Sequence, residues 1–258
     1  MEIIIKSDYS EISSDSAMIV ANQIIAKPNT VLGLATGSTP LGLYKELIQL
    51  HLNEGLDFSN VITFNLDEYV GLSNDHPQSY NVFMRDNLFS KINIKKENIY
   101  IPNGNAPHDK ECERYESLIN RSGGIDLQIL GIGSDGHIAF NEPSSSLGSR
   151  TRLKTLTQET VKDNARFFDN ISDVPRFAIT MGVGTIMEAK KILLIASGVS
   201  KTTPIRKAIE GPISSMCSAS AIQMHPKTIV MVDEAAAKDL KEKDYYKWVY
   251  NNKKNLKN

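Results

Sequence analysis

Residues suited to chemistry cluster at four places in this chain. Asp135, His137 and Glu142 fall within eight positions, beside glycines at 131, 133 and 136. Carboxylates next to an imidazole can exchange protons with hydroxyl groups, which is what opening a sugar ring requires. The run Thr36-Gly37-Ser38-Thr39-Pro40 reads as a phosphate cradle. Gly37 lets backbone approach an anion and the three hydroxyls can donate. Pro40 suits the first position of a helix whose free N–H groups would face the ligand. Asp67-Glu68-Tyr69 places two acids directly after an apolar run, and Ser197-Gly198 precedes Lys201 in the same way.

Each place also has a plain structural reading. Turns between strands and helices favour Gly, Ser, Thr and Asp as caps. The cradle lacks the spacing of a Walker A loop. Gly131-Ile132-Gly133-Ser134-Asp135-Gly136 matches the dinucleotide pattern, yet that pattern needs a helix to open there. His137 to Pro143 is polar and proline-ended instead, and no acid stands about 20 residues on to hold a ribose. Asp135 and His137 could begin a metal site, but no further ligand cluster accompanies them, so no metal is expected. His225 before Pro226 reads as structural.

The elements that must position these residues show in the alternation of short apolar runs with amphipathic segments. Strands are expected at Ile3–Ile5, Val31–Ala35, Val61–Leu66, Asp126–Ile132, Phe177–Met181, Ile192–Ala196 and Thr228–Val232. Ala17, Val20, Ala21, Ile24 and Ile25 form one helical stripe, and Leu41, Tyr44, Leu47 and Ile48 another. A last helix is expected to start in Glu234–Lys241, followed by a frayed tail from Lys253. The pattern predicts an α/β fold, an open and mainly parallel sheet with helices on both faces, Rossmann-like in architecture. In such sheets ligands bind beyond the carboxyl ends of the strands, where all four clusters fall. The stretch 143–175 is polar and without a clean strand, and it is expected to be an excursion or lid over that site.

Bulk properties bound the rest. The chain has 258 residues, 41% hydrophobic and 23% charged, with a formal net charge of -1, and is read as one domain, 1–258. No global field favours nucleic acid or an anionic membrane, and no apolar run reaches the ~18 residues of a membrane span. The two cysteines, Cys112 and Cys217, lack metal spacing and are expected to be free thiols in a cytoplasmic protein.

Gly133-Ser134-Asp135-Gly136-His137-Ile138-Ala139-Phe140-Asn141-Glu142-Pro143 resembles the glucosamine-6-phosphate deaminase family. So do Phe64-Asn65-Leu66-Asp67-Glu68-Tyr69, His76-Pro77-Gln78-Ser79-Tyr80, Leu34-Ala35-Thr36-Gly37-Ser38-Thr39-Pro40, Arg166-Phe167-Phe168 and Gln223-Met224-His225-Pro226. The resemblance runs in order over roughly residues 1 to 240. It implies aldose-ketose isomerisation and deamination of an amino-sugar phosphate, part of amino-sugar catabolism, without metal or redox cofactor. By matching position Asp67 would move the proton between C2 and C1. His137 would act in ring opening, oriented by Asp135 and Glu142. Thr36, Gly37, Ser38, Thr39, Arg166 and Lys201 would hold the phosphate.

The resemblance also implies an activator site for N-acetylglucosamine 6-phosphate between subunits of a homo-oligomer, at Ser145, Arg152 and Lys154. The tail Tyr245-Tyr246-Lys247-Trp248 and the segment Cys217-Ser218-Ala219-Ser220 depart from the family pattern. Three alternatives stay open: a 6-phosphogluconolactonase, an enzyme for the galactosamine epimer, and a non-catalytic sugar-phosphate sensor. Lactonases continue the glycine turn differently. A sensor need not keep Asp67, His137 and Glu142 together. The partner in every case is a small sugar phosphate.

Overall fold

Short β-branched runs become strands here and the amphipathic segments between them become helices. A computed structural model describes residues 1–255. Its strands are β1 (Glu2–Lys6), β2 (Val31–Leu34), β3 (Ile62–Asn65), β4 (Asp67–Tyr69), β5 (Ile99–Tyr100), β6 (Leu127–Leu130), β7 (Arg152–Thr155), β8 (Phe177–Thr180), β9 (Ile192–Ala196) and β10 (Thr228–Asp233). Its α-helices are α1 (Tyr9–Ala26), α2 (Leu41–Glu54), α3 (Tyr80–Asn87), α4 (His108–Arg121), α5 (Gln158–Asn164), α6 (Val183–Met187), α7 (Thr202–Glu210) and α8 (Lys243–Asn255).

Seven strands pair in the order β1-β10-β9-β6-β2-β3-β5, every pair parallel. The chain steps outward from β2 through β3 to β5, then returns to β6 and steps the other way through β9 to β10. The direction of winding therefore reverses between β2 and β6, which opens a crevice at their carboxyl ends. Strand alternation splits the core between the two faces. Ile192, Leu194 and Ala196 of β9 join Val230 and Val232 on one side, while Leu193 and Ile195 join Met231 on the other. Helix α1 starts where the Asp8 side chain accepts from the Glu11 N–H, and its buried stripe runs Ile12, Ala17, Val20, Ala21 and Ile24. Ile25, placed in that stripe from sequence, is exposed.

Several expectations need correction. Phe177–Thr180 does not join the main sheet. It is the centre of a separate antiparallel sheet, β4-β8-β7, pairing Asp67 with Thr180 and Leu153 with Ile179. A short apolar run cannot by itself reveal its partners or their direction. The excursion 143–175 does contain a strand, β7, as well as helix α5. Leu156, Val161 and Val174 of this excursion pack with Tyr69, Phe140 and Ala178 into a small core of their own. No helix starts in Glu234–Lys241. The Asp233 carboxylate caps the Ala236 N–H and Glu210 accepts from Lys241 and Glu242, so this stretch turns, and the helix begins at Lys243. That helix continues to Asn255, and Lys253 pairs with Glu2 at 2.6 Å, so the tail is structured that far. Its last residues, 256–258, lie outside the described residues. Among the described residues no helix is long and apolar enough to cross a membrane.

Candidate active site

Four loops leave the carboxyl ends of neighbouring strands β9, β6, β2 and β3 and surround one cleft with a cavity of 200 Å³. The cradle loop supplies Thr36, Gly37, Ser38 and Thr39. Gly37 takes a φ of +90°, a conformation that side chains disfavour. Tyr9 clamps this loop from behind: its hydroxyl donates to the Thr39 carbonyl at 2.9 Å and accepts from the Gly42 N–H at 2.8 Å. Pro40 caps α2 and does not occupy its first turn, but its helical backbone (φ -80°, ψ -4°) still directs the chain into the helix.

Across the crevice, β6 ends in the glycine turn. No helix opens after it, so the dinucleotide reading falls away. The turn folds back on itself, with the Gly133 N–H donating to the His137 carbonyl at 2.9 Å. A Cβ on Gly133 would stand 2.3 Å from the His137 ring, so that glycine makes room for the imidazole. His137 faces the cleft, while Asp135 and Glu142 sit behind it and do not line the cavity. Its Nδ1 lies 2.7 Å from an Asp135 oxygen and 3.5 Å from a Glu142 oxygen. The approach is an ion-pair contact that lacks the direction of an in-line hydrogen bond. Burial alone would lower the His137 pKa. The Asp135 contact and the charges of Asp135 and Glu142 outweigh it, so the imidazole holds its proton above the ordinary range. Asp135 is correspondingly held below its ordinary value, because His137 overcomes the cost of its burial. Glu142 is buried and braced by the Thr157 N–H at 3.2 Å. These three side chains also bring ligand-type atoms within 4.8 Å of one another.

Asp67 lines the same cleft. It opens β4 just past the end of β3 and is buried. Burial, then the neighbouring Glu68 charge, push its carboxyl up to about 8, against the pull of His137 and of hydrogen bonds with Phe140 and Thr180. Glu68 turns away from the cleft and takes hydrogen bonds from the N–H groups of Tyr69, Tyr80 and Asn81 and from the Asn81 amide, at 2.8 to 3.0 Å. That fixes the start of α3 and delivers Tyr80 to the cleft wall.

Lys201 and Arg166 complete the lining. Lys201 follows Gly198 (φ +90°), whose N–H is gripped by both Asp233 oxygens at 3.1 and 3.0 Å. Its ammonium donates to the Ile132 carbonyl at 2.7 Å, and burial lowers its pKa. Arg166 comes from the excursion, just after α5, and its guanidinium lies 4.7 Å from the centre of the Phe167 ring. All ten residues placed at the substrate site from sequence therefore lie in or directly behind one cleft. Tyr80, Ser134, Thr160, Asp163 and Asn164 also line it; sequence reasoning gave none of them a role and missed the last three altogether. Of these Tyr80 had a signal, since Ser79 caps the helix that opens there and its hydroxyl accepts from the Val82 N–H.

A model of the family described as glucosamine-6-phosphate isomerases/6-phosphogluconolactonase matches residues 9–231. The chain belongs to this family. Within it, the glucosamine-6-phosphate deaminase of Thermoanaerobacter pseudethanolicus is 54% identical over 245 residues, 95% of this chain and 97% of that one. The glucosamine-6-phosphate deaminase of an Arthrobacter species is 49% identical over 254 residues, 98% of each chain. Among solved structures, a monomeric glucosamine-6-phosphate deaminase superposes with a TM-score of 0.91 at 48% identity, covering 92% of this chain and 99% of that one. The 6-phosphogluconolactonase from Trypanosoma cruzi shares the fold, with a TM-score of 0.72 at 19% identity over 93% and 97% of the chains.

This isomerase and lactonase family thus spans two of the activities that the glycine turn left open. The positions implied for an activator are not among the residues lining the cavity. Ser145 is buried, with a hydroxyl that has no hydrogen-bond partner. Arg152 and Lys154 lie two apart on β7, and Arg152 donates to the Asn141 side chain at 2.9 Å. Burial lowers the pKa of both, and the Arg152 charge lowers that of Lys154 further.

Proposed function

We propose that the cleft converts glucosamine 6-phosphate and water into fructose 6-phosphate and ammonia. The observation that carries this reading is the meeting, on one cavity, of a buried carboxyl poised near 8, a proton-holding imidazole and a loop built for an anion. The phosphate binds the Thr36–Thr39 backbone and hydroxyls, countered by Lys201 and Arg166, and this anchors the sugar away from its reacting carbons. His137 gives a proton to the ring oxygen as the C1 hydroxyl loses one, which opens the ring. Asp67 in its ionised form takes the C2 proton and returns it to C1 through a cis-enediolamine. The resulting C2 imine adds water and releases ammonia, leaving the ketose.

A coupled comparison tests this. Ammonia release is measured from glucosamine 6-phosphate and from galactosamine 6-phosphate, beside hydrolysis of 6-phosphogluconolactone. Ammonia chiefly from the gluco epimer is expected. Lactone hydrolysis without ammonia release would overturn the reading. The two free, buried thiols support a cytosolic site of action. Ser145, Arg152 and Lys154 form an anion site in the same proposal, with N-acetylglucosamine 6-phosphate as activator between copies of the chain. Kinetics and light scattering with and without that compound read this arm.

A further inference from the structure

The segment from Ser214 to Ser220 stands outside the motifs that define the cleft, yet it grips the His137 turn from behind. Ser214 and Cys217 form a β-bridge, and Ser220 rivets the strap by accepting from the Ser214 N–H at 2.8 Å and donating to its carbonyl at 3.2 Å. The strap then reaches the catalytic loop at several places. The Ala219 N–H donates to the Gly136 carbonyl at 3.0 Å, and the Ser144 N–H donates to the Ser215 carbonyl at 2.9 Å. Between these, the Ser218 hydroxyl accepts from the Ile138 N–H at 3.2 Å and donates to the Asn141 carbonyl at 2.8 Å. Cys217 packs so closely that a Cβ on Gly136 would meet its sulfur at 2.5 Å.

The loop needs such a grip. Gly136 sits at φ +97°, and two residues with side chains, Ala139 at φ 51° and Ser144 at φ 71°, also occupy the left-handed region. Such backbone persists only where its surroundings over-determine it. Ser218 bridges the loop from outside it, joining the residue after His137 to the residue before Glu142, beside the Asn141 amide, which donates to the Ile138 carbonyl at 3.0 Å. Ser218 is itself buried. We propose that Ser218 is a positioning residue that holds the loop from His137 to Glu142 in its working geometry. This deepens the reading above and rests on it.

The groups facing His137 are Asp135 and Glu142 from its own loop, Lys201 from the turn after β9, and Asp67 from β4. Loosening the loop lets His137 draw away from the two carboxylates behind it. Losing the hydroxyl strands a buried N–H, and Ser218→Ala should lower kcat about tenfold while KM stays within about twofold. Ser218→Thr keeps the hydroxyl and should keep kcat. Ser218→Val has the shape of threonine without the hydroxyl and should behave like Ser218→Ala. NMR titration of the His137 ring reads the strap without substrate, so its failure is distinguishable from failure of the deaminase reading. The midpoint should fall in the Ala and Val variants and hold in Thr. A Thr variant as impaired as Val, or an Ala variant with wild-type kcat and an unmoved midpoint, would overturn the proposal. Should Ala and Val not fold, amide exchange in the wild type still decides: slow exchange at Ile138 supports the strap, and rapid exchange there refutes it.

Discussion

Asp67→Asn keeps the shape of a side chain that is only 6% exposed and removes its capacity to take a proton. The carboxyl stands at about 8, raised first by burial and then by Glu68. At pH 7 roughly one unliganded molecule in ten then carries the ionised base, so kcat/KM should climb about tenfold per pH unit below ~8 and flatten above it. Loss of a general base costs about 10²-fold or more in turnover, or about 3 kcal/mol of barrier. The same shift carries a stability signature. An acid whose folded value lies above its unfolded one favours folding while protonated, and that contribution disappears as pH rises through about 8. Asparagine has no charge to bury, so the variant should gain on the wild type in thermal unfolding between pH 5 and pH 9. Continuous ammonia release and melting curves at both pH values give the two readouts. Near wild-type ammonia release from Asp67→Asn would refute the assignment of the base. A stability difference that does not change with pH would refute the claim that burial sets its charge.

The cations at the phosphate end should separate in their effects. Arg166→Ala should raise KM by about 10- to 100-fold, the worth of one charged hydrogen bond, with kcat little changed. Lys201→Ala should raise KM similarly and also lower kcat, because its ammonium braces the Ile132 carbonyl at the root of the glycine turn. A large defect of either variant towards unphosphorylated glucosamine would contradict a phosphate role. Far from the cleft, Asp126 is held down to about 2: burial would raise it, but Lys190, Lys27 and the Val31 N–H outweigh that cost. Asp126→Asn should cost about 1–2 kcal/mol in urea unfolding at pH 7, discounted for the exposed lysines, and the gap should close as pH falls from ~4 through about 2. Finally, the excursion 143–175 should act as a cover. Hydrogen exchange over α5 and Arg166 should slow with a phosphate-bearing competitive inhibitor, and equal protection with and without it would leave Arg166 as a fixed wall.

The parallel sheet was legible because its strands are buried on both faces and read as short apolar runs bounded by turns. The site was legible for a related reason. In an open sheet the residues that follow each strand must meet at one edge, so Thr36, Asp67, His137 and Lys201 could be grouped before any coordinates. What stayed hidden was the small antiparallel sheet. β4 consists of Asp67, Glu68 and Tyr69, which resembles a polar turn. Glu68 is buried because its carboxylate is saturated by four N–H donors contributed by Tyr69, Tyr80 and Asn81. Twelve positions separate Glu68 from Tyr80, and no helical or strand period links them.

β7 carries the same lesson in a sharper form. Its alternation is reversed: Arg152 and Lys154 are half-buried, while Leu153 and Thr155 face outward. Read for periodicity alone, such a strand points the wrong way, or dissolves into a polar loop. Turning two cations inward costs desolvation, which is visible in the lowered pKa of both. Arg152 already spends one N–H on Asn141, at the end of the loop that carries His137. An anion bound to Arg152 and Lys154 would therefore pull on the loop that Ser218 holds. The proposed anion site at Ser145, Arg152 and Lys154 would account for the inverted pattern that concealed β7.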